Sequence, residues 1–434
     1  MHVIQNSFSR RQFLQSSSLA VGSLCLTGWR GRSLNRRLSA NERLNLGVIG
    51  VSGQGELHLE TCARENIVAL CDVNTQSLGS ASQNLPRAAL YTDFREMLDR
   101  ETLDGVVIAT PDHTHAVMSI IAMQQGCHVY CADPLSHTIS EARTVASVAR
   151  RRRRITQLGG SLGSPALEDR VIEMIQTGTI GTVSEVHAWT TLSHGELDRR
   201  PWSSAAPDHV DYDLWMGPLF NRPYRSDYLP GRWRHWWHFG GGTLSDAGTQ
   251  YYSLAHRALG LTAPTKVQSW GPAVHLENTP SWLMTRSTYP QKDPSSPVTF
   301  FWYHGGQCPN RFEEPSVQST DDGLLLVGSS GKVLVTPSHA KLLMNGQPEQ
   351  SILALESAGA RTHRLCEWMD ACRTGASTIA NFEFAGRVTE AMLLGNVAHR
   401  TDRKLVWDER RMVVSNLPEA SEYIQHSYRP GWEI

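Results

Sequence analysis

The fold is decided by the stretch Leu44-Asn45-Leu46-Gly47-Val48-Ile49-Gly50-Val51-Ser52-Gly53-Gln54-Gly55. Its first half has the apolar pattern of a short strand, its glycines form a turn, and a helical pattern follows from Glu56 to Arg64. Such a turn brings backbone N–H groups close to a diphosphate at a helix N-terminus, where any Cβ would block the approach. The spacing Gly50-x-Ser52-x-x-Gly55 keeps the first and third glycines of a dinucleotide-binding fingerprint. We therefore expect Gly50, Ser52, Gly53 and Gly55 to bind a dinucleotide.

A second strand, Ile67 to Cys71, ends in Asp72, 22 residues after Gly50. A carboxylate at this place accepts hydrogen bonds from the hydroxyls of an adenosine ribose. Because an acid there repels a 2′-phosphate, the sequence favours NAD over NADP. The alternative for Asp72 is a simple cap at the end of a strand.

Strand and helix patterns then alternate up to residue 153, including a helix predicted from Ala116 to Gln124, and this alternation predicts a doubly wound parallel sheet. The strand Gly105 to Ala109 runs into Thr110-Pro111-Asp112-His113-Thr114-His115. Ligands bind at the carboxyl ends of such strands, so we expect Thr110, Pro111, Asp112 and His115 to contact the cofactor. His113 and His115 do not predict a metal site, because no further acid or His lies nearby at ligand spacing.

The N-terminus carries a twin-arginine motif, Ser9-Arg10-Arg11-Gln12-Phe13-Leu14, followed by a weakly apolar run to Trp29. This pattern predicts a signal for export of the folded protein to the periplasm; the alternative is a disordered basic tail. We predict three regions: a signal and basic linker over 1–40, an NAD-binding domain over 41–160, and an α/β domain over 161–434.

Composition excludes several function classes. The chain of 434 residues has 41 Lys and Arg against 42 Asp and Glu, a net charge of -1 that gives no case for nucleic-acid binding. No apolar stretch is long enough to span a bilayer. Eight scattered cysteines predict neither a disulfide framework nor a zinc knuckle. A small-molecule partner is favoured, and homo-oligomerisation stays open.

The chain resembles the glucose-fructose oxidoreductase / inositol dehydrogenase (Gfo/Idh/MocA) family over nearly its whole length after the signal. The matching pieces, in order, are Gly47-Val48-Ile49-Gly50, Cys71-Asp72-Val73, Ala109-Thr110-Pro111-Asp112-His113, Pro134-Leu135-Ser136-His137-Thr138, Ile180-Gly181-Thr182-Val183, Trp215-Met216-Gly217-Pro218, Trp233-Arg234-His235-Trp236-Trp237, Gly240-Gly241-Gly242 and Asn381-Phe382-Glu383-Phe384-Ala385-Gly386. The resemblance implies a Rossmann domain followed by an α/β domain with an open, mainly antiparallel sheet. It also implies hydride transfer between a sugar or polyol carbon and nicotinamide.

The chain departs from that family at the residues that handle the hydroxyl proton. Where the family has Glu-Lys-Pro, this chain has Ala132-Asp133-Pro134, and where the family has a His, it has Gln250. In the family this His belongs to the motif Asp-x-Gly-x-His-x-x-Asp of the second domain. Its first residue, Asp246, is retained in this chain. After the strand Ile155 to Leu158, Gly160-Ser161 replaces the family's Asn-Gln. These changes predict an impaired or rearranged catalytic site in which Asp246, Asp133 and His113 supply what chemistry remains.

Aromatic and basic side chains alternate between Trp215 and Phe239. Flat aromatic faces beside guanidinium donors suit a sugar ring, so we expect Arg234, Trp236, Trp237 and Gln250 to bind substrate. The alternative is a core of bulky side chains under a long loop. Two functions remain open: an NAD-dependent sugar oxidoreductase with an altered site, and a sugar- or partner-binding protein on the same fold.

Overall fold

The first domain is built around six parallel strands. The structure, a computed structural model, describes residues 42–195, 205–291, 296–309, 317, 322–354 and 360–434. The strands are β1 (Asn45–Ile49), β2 (Asn66–Cys71), β3 (Ala89–Tyr91), β4 (Gly105–Ile108), β5 (His128–Cys131) and β6 (Thr156–Leu158). They pair in the order β3-β2-β1-β4-β5-β6, which places β1 and β4 side by side in the middle. This order leaves a crevice at the carboxyl ends of the two central strands, where open α/β sheets bind ligands.

Helices follow the strands of this sheet: α1 (Gln54–Thr61), α2 (Thr75–Asn84), α3 (Phe94–Arg100), α4 (Asp112–Gln124) and α5 (Ile139–Arg152). Every residue of β4 is buried, as expected for a strand covered by helices on both faces. Helix α5 begins with a capping box, in which Thr138 accepts from the Glu141 amide and Glu141 accepts from the Thr138 amide. Local sequence signals therefore agree with the tertiary arrangement.

The second domain contains a sheet of ten strands: β7 (Val183–Thr190), β8 (Lys266–Trp270), β9 (Leu283–Tyr289), β10 (Val298–His304), β11 (Gly323–Gly328), β12 (Gly331–Val335), β13 (His339–Met344), β14 (Gln350–Ala354), β15 (Leu405–Asp408) and β16 (Val413–Val414). Their order is β14-β13-β12-β11-β7-β10-β9-β8-β15-β16, and among the strand pairs of the described residues only β7 with β10 is parallel. The expected combination of a parallel sheet with a mainly antiparallel one is confirmed.

The remaining helices are α6 (Pro165–Gln176), α7 (Tyr212–Met216), α8 (Gly242–Leu259), α9 (Ala360–Thr374), α10 (Phe382–Thr401) and α11 (Ser421–Ile424). Helix α10 packs against both α5 of the first domain and α8 of the second. Helix α9 inserts Trp368 and Leu365 into the core around β1. The chain thus returns to the first domain after building the second, an arrangement that the predicted division at residue 160 does not anticipate.

One helix begins earlier than its sequence pattern predicts. We expected α4 to start at Ala116, but it starts at Asp112, because Pro111 occupies the N-cap with an extended backbone and Asp112 lies in the first turn. His113 and His115 are therefore helical residues, and their side chains point into the protein. The predicted export signal and basic linker, residues 1–40, lie outside the described residues. Within the described ranges, no helix is long and apolar enough to cross a membrane.

Candidate active site

A cleft of about 1010 Å³ lies between the two domains, at the carboxyl ends of the first sheet. Its walls include the turns after β1, β2, β4 and β5 on one side and the segments before and inside α8 on the other. The cleft is therefore continuous from the glycine turn to the second domain.

The glycine turn forms one end of this cleft. Gly50 has a φ of +81°, and a Cβ there would lie 2.6 Å from the Ala109 carbonyl oxygen. A Cβ on Gly55 would lie 1.9 Å from the Gly50 carbonyl oxygen, so only glycine permits this turn. Gly53 has open space where its Cβ would be and is the N-cap of α1, with no side chain capping the helix. The start of α1 thus borders the cleft through Gly53 and Gln54, while the Gly55 amide donates to the Ser52 carbonyl at 3.1 Å. A helix N-terminus is the usual place for a bound diphosphate.

Asp72 lies beside this turn and lines the cleft. Its Oδ2 accepts from the Val51 amide and its Oδ1 from the Asn74 amide, both at 2.9 Å. Burial raises the pKa of Asp72, while these two amide donors lower it. Each carboxylate oxygen has a second lone pair for a hydroxyl donor. The strand-end cap and the ribose acceptor are thus compatible roles of one side chain.

The loop after β4 contributes Thr110, Pro111 and Asp112 to the same cleft. The Asp112 carboxyl is buried and accepts from the Gly241 amide at 3.4 Å. Burial raises the pKa of Asp112 well above its usual range, although the charge of Arg234 acts in the opposite direction. Burial and the Arg234 charge thus have opposite effects on the pKa of Asp112, and the effect of burial is the larger one.

The structure corrects the expectations for both histidines of this loop. His113 is fully buried, with Nε2 2.9 Å from the Trp215 carbonyl and Nδ1 3.4 Å from the Phe239 carbonyl. Burial lowers the pKa of His113 to about 4. His115 lies between the Pro134 and Thr110 carbonyls, each at 2.7 Å. Neither lines the cleft, so His113 is a structural residue rather than a catalytic one, and His115 positions Thr110 without reaching a ligand.

At the other end, Asp133 follows β5 and lines the cleft beside Gly159 and Gly160. A Cβ on Gly160 would lie 2.8 Å from Asp133 Oδ2, so the absence of a side chain at Gly160 makes room for the carboxylate. The Ser161 hydroxyl donates to Glu168 Oε1 at 2.8 Å. No amide side chain is available from Gly160-Ser161 to contact a ligand.

Asp246, in the second turn of α8, is held by two partners from other segments. Arg234 Nε donates to Asp246 Oδ1 at 2.6 Å, and His194 Nε2 lies 2.8 Å from Asp246 Oδ2. Burial raises the pKa of Asp246, but the His194 hydrogen bond and the Arg234 charge outweigh it and lower the pKa to about 2. Asp246 is therefore an ionised carboxylate at neutral pH.

Arg234 lines the cleft and interacts electrostatically with three carboxyl groups: Asp246, Asp112 and Asp133. Its guanidinium stacks on Trp233, with 4.3 Å between Cζ and the ring centroid. A cation from the second domain therefore interacts with carboxyl groups of both domains.

The aromatic segment divides into wall and core. Tyr224 and Trp233 line the cleft, as does Gln250, which lies one helical turn after Asp246. Trp236 and Trp237 are buried, with indole N–H groups donating to the Asp227 and His275 carbonyls. The expectation that Trp236 and Trp237 bind substrate is corrected, because both belong to the core beneath the loop.

His194 is the residue that sequence reasoning missed. It follows β7, 52 positions before Asp246, and no local motif marks it. The resemblance described above led us to expect the site's imidazole at position 250, which is Gln in this chain. The structure supplies an imidazole to Asp246 from a different segment.

Comparisons with known proteins agree with this architecture. Residues 44–159 match the model described as "Oxidoreductase family, NAD-binding Rossmann fold" of the Gfo/Idh/MocA oxidoreductases. Residues 176–294 match that family's C-terminal alpha/beta domain. The matched dinucleotide domain and the glycine turn together show an NAD-binding site, and related folds are crystallised with NAD or NADH.

Among curated proteins, the chain is similar to "Glycosyl hydrolase family 109 protein 1" of Shewanella sp. (strain MR-4), with 28% identity over 209 residues. That match covers 45% of this chain and 40% of the relative.

Two solved structures illustrate the shared fold. The WlbA dehydrogenase from Bordetella pertussis, in complex with NADH and UDP-GlcNAcA, has a TM-score of 0.61 and 16% identity, covering 85% of this chain and 99% of that one. An inositol dehydrogenase homolog from Azotobacter vinelandii, in complex with NADH and myo-inositol, has a TM-score of 0.60 and 16% identity, covering 86% and 99%.

Proposed function

The chain belongs to the Gfo/Idh/MocA oxidoreductase family, and from that premise we propose that it transfers a hydride between NAD and a sugar or sugar derivative. The observation that carries this proposal is the Arg234–Asp246 ion pair beside Asp133, in the same cleft as the glycine turn. Residues that bind NAD and residues that move a proton thus share one cavity.

The residues of the first domain fit the dinucleotide. The amides at Gly53 and the start of α1 would hold its diphosphate, and Asp72 would accept the ribose hydroxyls. Bound there, NAD supplies the hydride acceptor or donor. The residues that follow Asp72, namely Val73, Asn74, Thr75 and Gln76, include no basic side chain to receive a 2′-phosphate.

Oxidation of a hydroxyl carbon also requires that the hydroxyl proton leave. We assign Asp133 as the base, since it lines the cleft directly after β5 and interacts electrostatically with Arg234. Arg234 stabilises the developing alkoxide through the terminal nitrogens that are not used in the bond to Asp246. Asp246 and His194 hold the guanidinium in place. The catalytic cation thus comes from the second domain, and the site is rearranged rather than lost.

The residues that we expect to contact the substrate line the cleft around Arg234. Trp233 and Tyr224 offer apolar faces, and Gln250 and Arg234 offer hydrogen-bond donors, which together suit the C–H face and hydroxyl edge of a sugar. Solved relatives contain UDP-GlcNAcA or myo-inositol, and the curated relatives are named as a glycosyl hydrolase family. A test panel should therefore include free sugars, polyols, nucleotide sugars and glycosides.

The direct test incubates the purified protein with NAD and this panel and follows NADH formation. We expect one substrate class to give turnover, which Asp133→Asn lowers by roughly 10²-fold to 10⁴-fold. The exposed Asp370→Asn serves as the control and should leave turnover unchanged. NAD binding without hydride transfer to any member of the panel would favour the non-catalytic sugar- or partner-binding protein instead.

Export stays part of the proposal. The twin-arginine motif at Arg10-Arg11 supports a periplasmic protein that binds its cofactor before leaving the cytoplasm. Replacing both arginines by lysine and fractionating the cells tests it. Unchanged periplasmic recovery would contradict this route.

A further inference from the structure

The segment 425–434, called here the strap, passes from the second domain to the dinucleotide end of the cleft. Its Trp432 lines the same cleft as Gly50 and Asp72 and is only 6% exposed. Neither the glycine fingerprint nor the Asp246 motif includes this residue. A side chain distant in sequence thus forms part of the wall around the NAD site.

Trp432 lies at the same end of the cleft as Asp72, the carboxylate that is assigned to the ribose. The Asp72 amide donates to the Tyr91 carbonyl at the end of β3, and Phe94 follows three residues later. The ring centroids of Phe94 and Trp432 are 6.1 Å apart. Thr92, Asp93 and Phe94 line the cleft together with Trp432. The indole therefore lies on the adenosine side of the cleft, on the side of Asp72 away from β1.

Two guanidinium groups fix the ring. Arg95 Cζ lies 4.4 Å from the Trp432 centroid, and Arg429 Cζ lies 5.3 Å from it. Arg95 is itself held by Asp93, with an Nη2 to Oδ2 distance of 2.7 Å. Cation–π contacts of this kind orient an aromatic ring before any ligand arrives.

The strap is anchored to two separate elements. Arg429 donates from Nη1 to Asp213 Oδ1 at 2.6 Å and from Nη2 to the Asp213 carbonyl at 2.7 Å, both on α7. Tyr428 donates to the buried Glu141 Oε1 of α5 at 2.9 Å. Trp432 therefore occupies a defined position in the wall.

A second segment closes the same end of the cleft. The Thr75 amide donates to the His209 carbonyl at 2.8 Å, and the Asp211 amide donates to the Val73 carbonyl at 2.9 Å. These bonds join the loop after Asp72 to the segment that leads into α7. The strap also binds α7 through Asp213. The strap and the segment before α7 are therefore both attached to the same helix.

We propose that the strap is the retaining wall of the NAD site and that Trp432 contacts the adenosine half of the bound dinucleotide and slows its dissociation. The proposal deepens the proposed function, because it rests on NAD as the ligand of this cleft. Aromatic side chains stack on nucleobases regardless of their sequence, which suits a residue that retains a cofactor without reading its nicotinamide.

The test measures NADH dissociation and affinity by fluorescence on the full-length protein. We expect Trp432→Ala to raise the dissociation rate at least tenfold, and Trp432→Phe to stay within a few-fold of the wild type. Trp270→Ala is the matched control, because Trp270 is a half-exposed indole on β8 that does not line the cleft. Thermal unfolding of each variant without NADH separates loss of contact from loss of fold.

Arg429→Gln keeps the indole and removes its anchor, so it provides a second route if Trp432→Ala does not fold. We expect it to raise the dissociation rate by an intermediate factor. Dissociation rates equal to the wild type in both Trp432→Ala and Arg429→Gln would overturn the proposal. A wild type that binds NADH but turns over no sugar would contradict the proposed function while leaving the strap intact, whereas no NADH binding at all would overturn both.

Discussion

The two ends of the cleft are constructed in different ways. The dinucleotide end consists mainly of backbone: Gly50, Gly53 and Gly55 shape one turn, and Asp72 is held by two amides. The substrate end consists of side chains from separate segments, in which Arg234 and His194 converge on Asp246. A backbone site depends on local conformation, whereas a side-chain site depends on the assembly of both domains. Mutations should therefore affect the two ends differently.

The largest expected effect is at the glycine turn. Gly55→Ala should abolish detectable NADH binding, because its Cβ would lie 1.9 Å from the Gly50 carbonyl oxygen and the turn would have to open. Gly79→Ala is the control: Gly79 is an exposed residue of α2 outside the cleft lining, nothing lies within 4 Å of its Cβ position, and NADH affinity should stay unchanged. Calorimetric titration with NADH measures both. Equal affinity of Gly55→Ala and wild type would show that the dinucleotide does not use this turn.

The second effect is at the opposite end. Arg234→Gln should lower sugar-dependent turnover by roughly 10²-fold to 10³-fold, the usual cost of removing one donor to a developing oxyanion. NADH affinity should stay near that of the wild type, since the dinucleotide end is separate. Arg232→Gln, two residues away in the same 3-10 helix and outside the cleft lining, is the control. A parallel fall in NADH affinity would show that the two ends are not independent.

The sequence predicts the dinucleotide end better than the substrate end, because the first is formed by local backbone conformation and the second by segments that are distant in sequence. The glycine turn, the end of β2 and the strand pattern are local, so Gly50, Ser52, Gly53, Asp72 and the parallel sheet follow from short stretches. The start of α4 was not predicted correctly even though it is local. The helix begins directly after Pro111, and His113 and His115 therefore point into the protein.

The substrate end required tertiary information. Trp236 and Trp237 have the composition of sugar-binding residues, but their position under the loop makes them core. Pairing of His194 with Asp246, and of Trp432 with the dinucleotide end, joins segments that no spacing rule connects. The resemblance to a family identified Asp246 and Asp133 but directed attention to Gln250 rather than to His194.

A third prediction concerns pH and the stability of the substrate end. The folded pKa of Asp246, about 2, lies below its usual value, so its ionised form stabilises the fold above about pH 4, and this contribution is lost as the pH falls toward 2. A shift of this size corresponds to about 2 kcal/mol at neutral pH. Asp246→Asn should therefore lower the free energy of unfolding at pH 7 and approach the wild type in acid.

Denaturant unfolding between pH 2 and pH 7 measures this convergence, and Asp370→Asn, at an exposed carboxylate, provides the control. A constant difference between wild type and Asp246→Asn across that range would mean that the contacts from Arg234 and His194 do not depend on the charge of Asp246.

The smallest expected effect is at Asp72, the acidic side chain of the dinucleotide end that is assigned to the ribose. Asp72 should give NADH at least a roughly tenfold advantage over NADPH, because a carboxylate about 4 Å from a 2′-phosphate costs between about 1 and 4 kcal/mol, depending on solvent screening. Asp72→Asn keeps the shape and one of the two hydrogen bonds from the Val51 and Asn74 amides, while the repulsion of a 2′-phosphate disappears. The NADH-to-NADPH affinity ratio should fall several-fold, mainly through tighter NADPH binding.

Asp104→Asn is the matched control, since Asp104 also accepts a strand amide, that of Asn45 at 2.8 Å, but at the opposite end of β1. Calorimetry with both dinucleotides gives the ratio, and a wild type that binds NADPH as tightly as NADH would mean that Asp72 does not select against a 2′-phosphate.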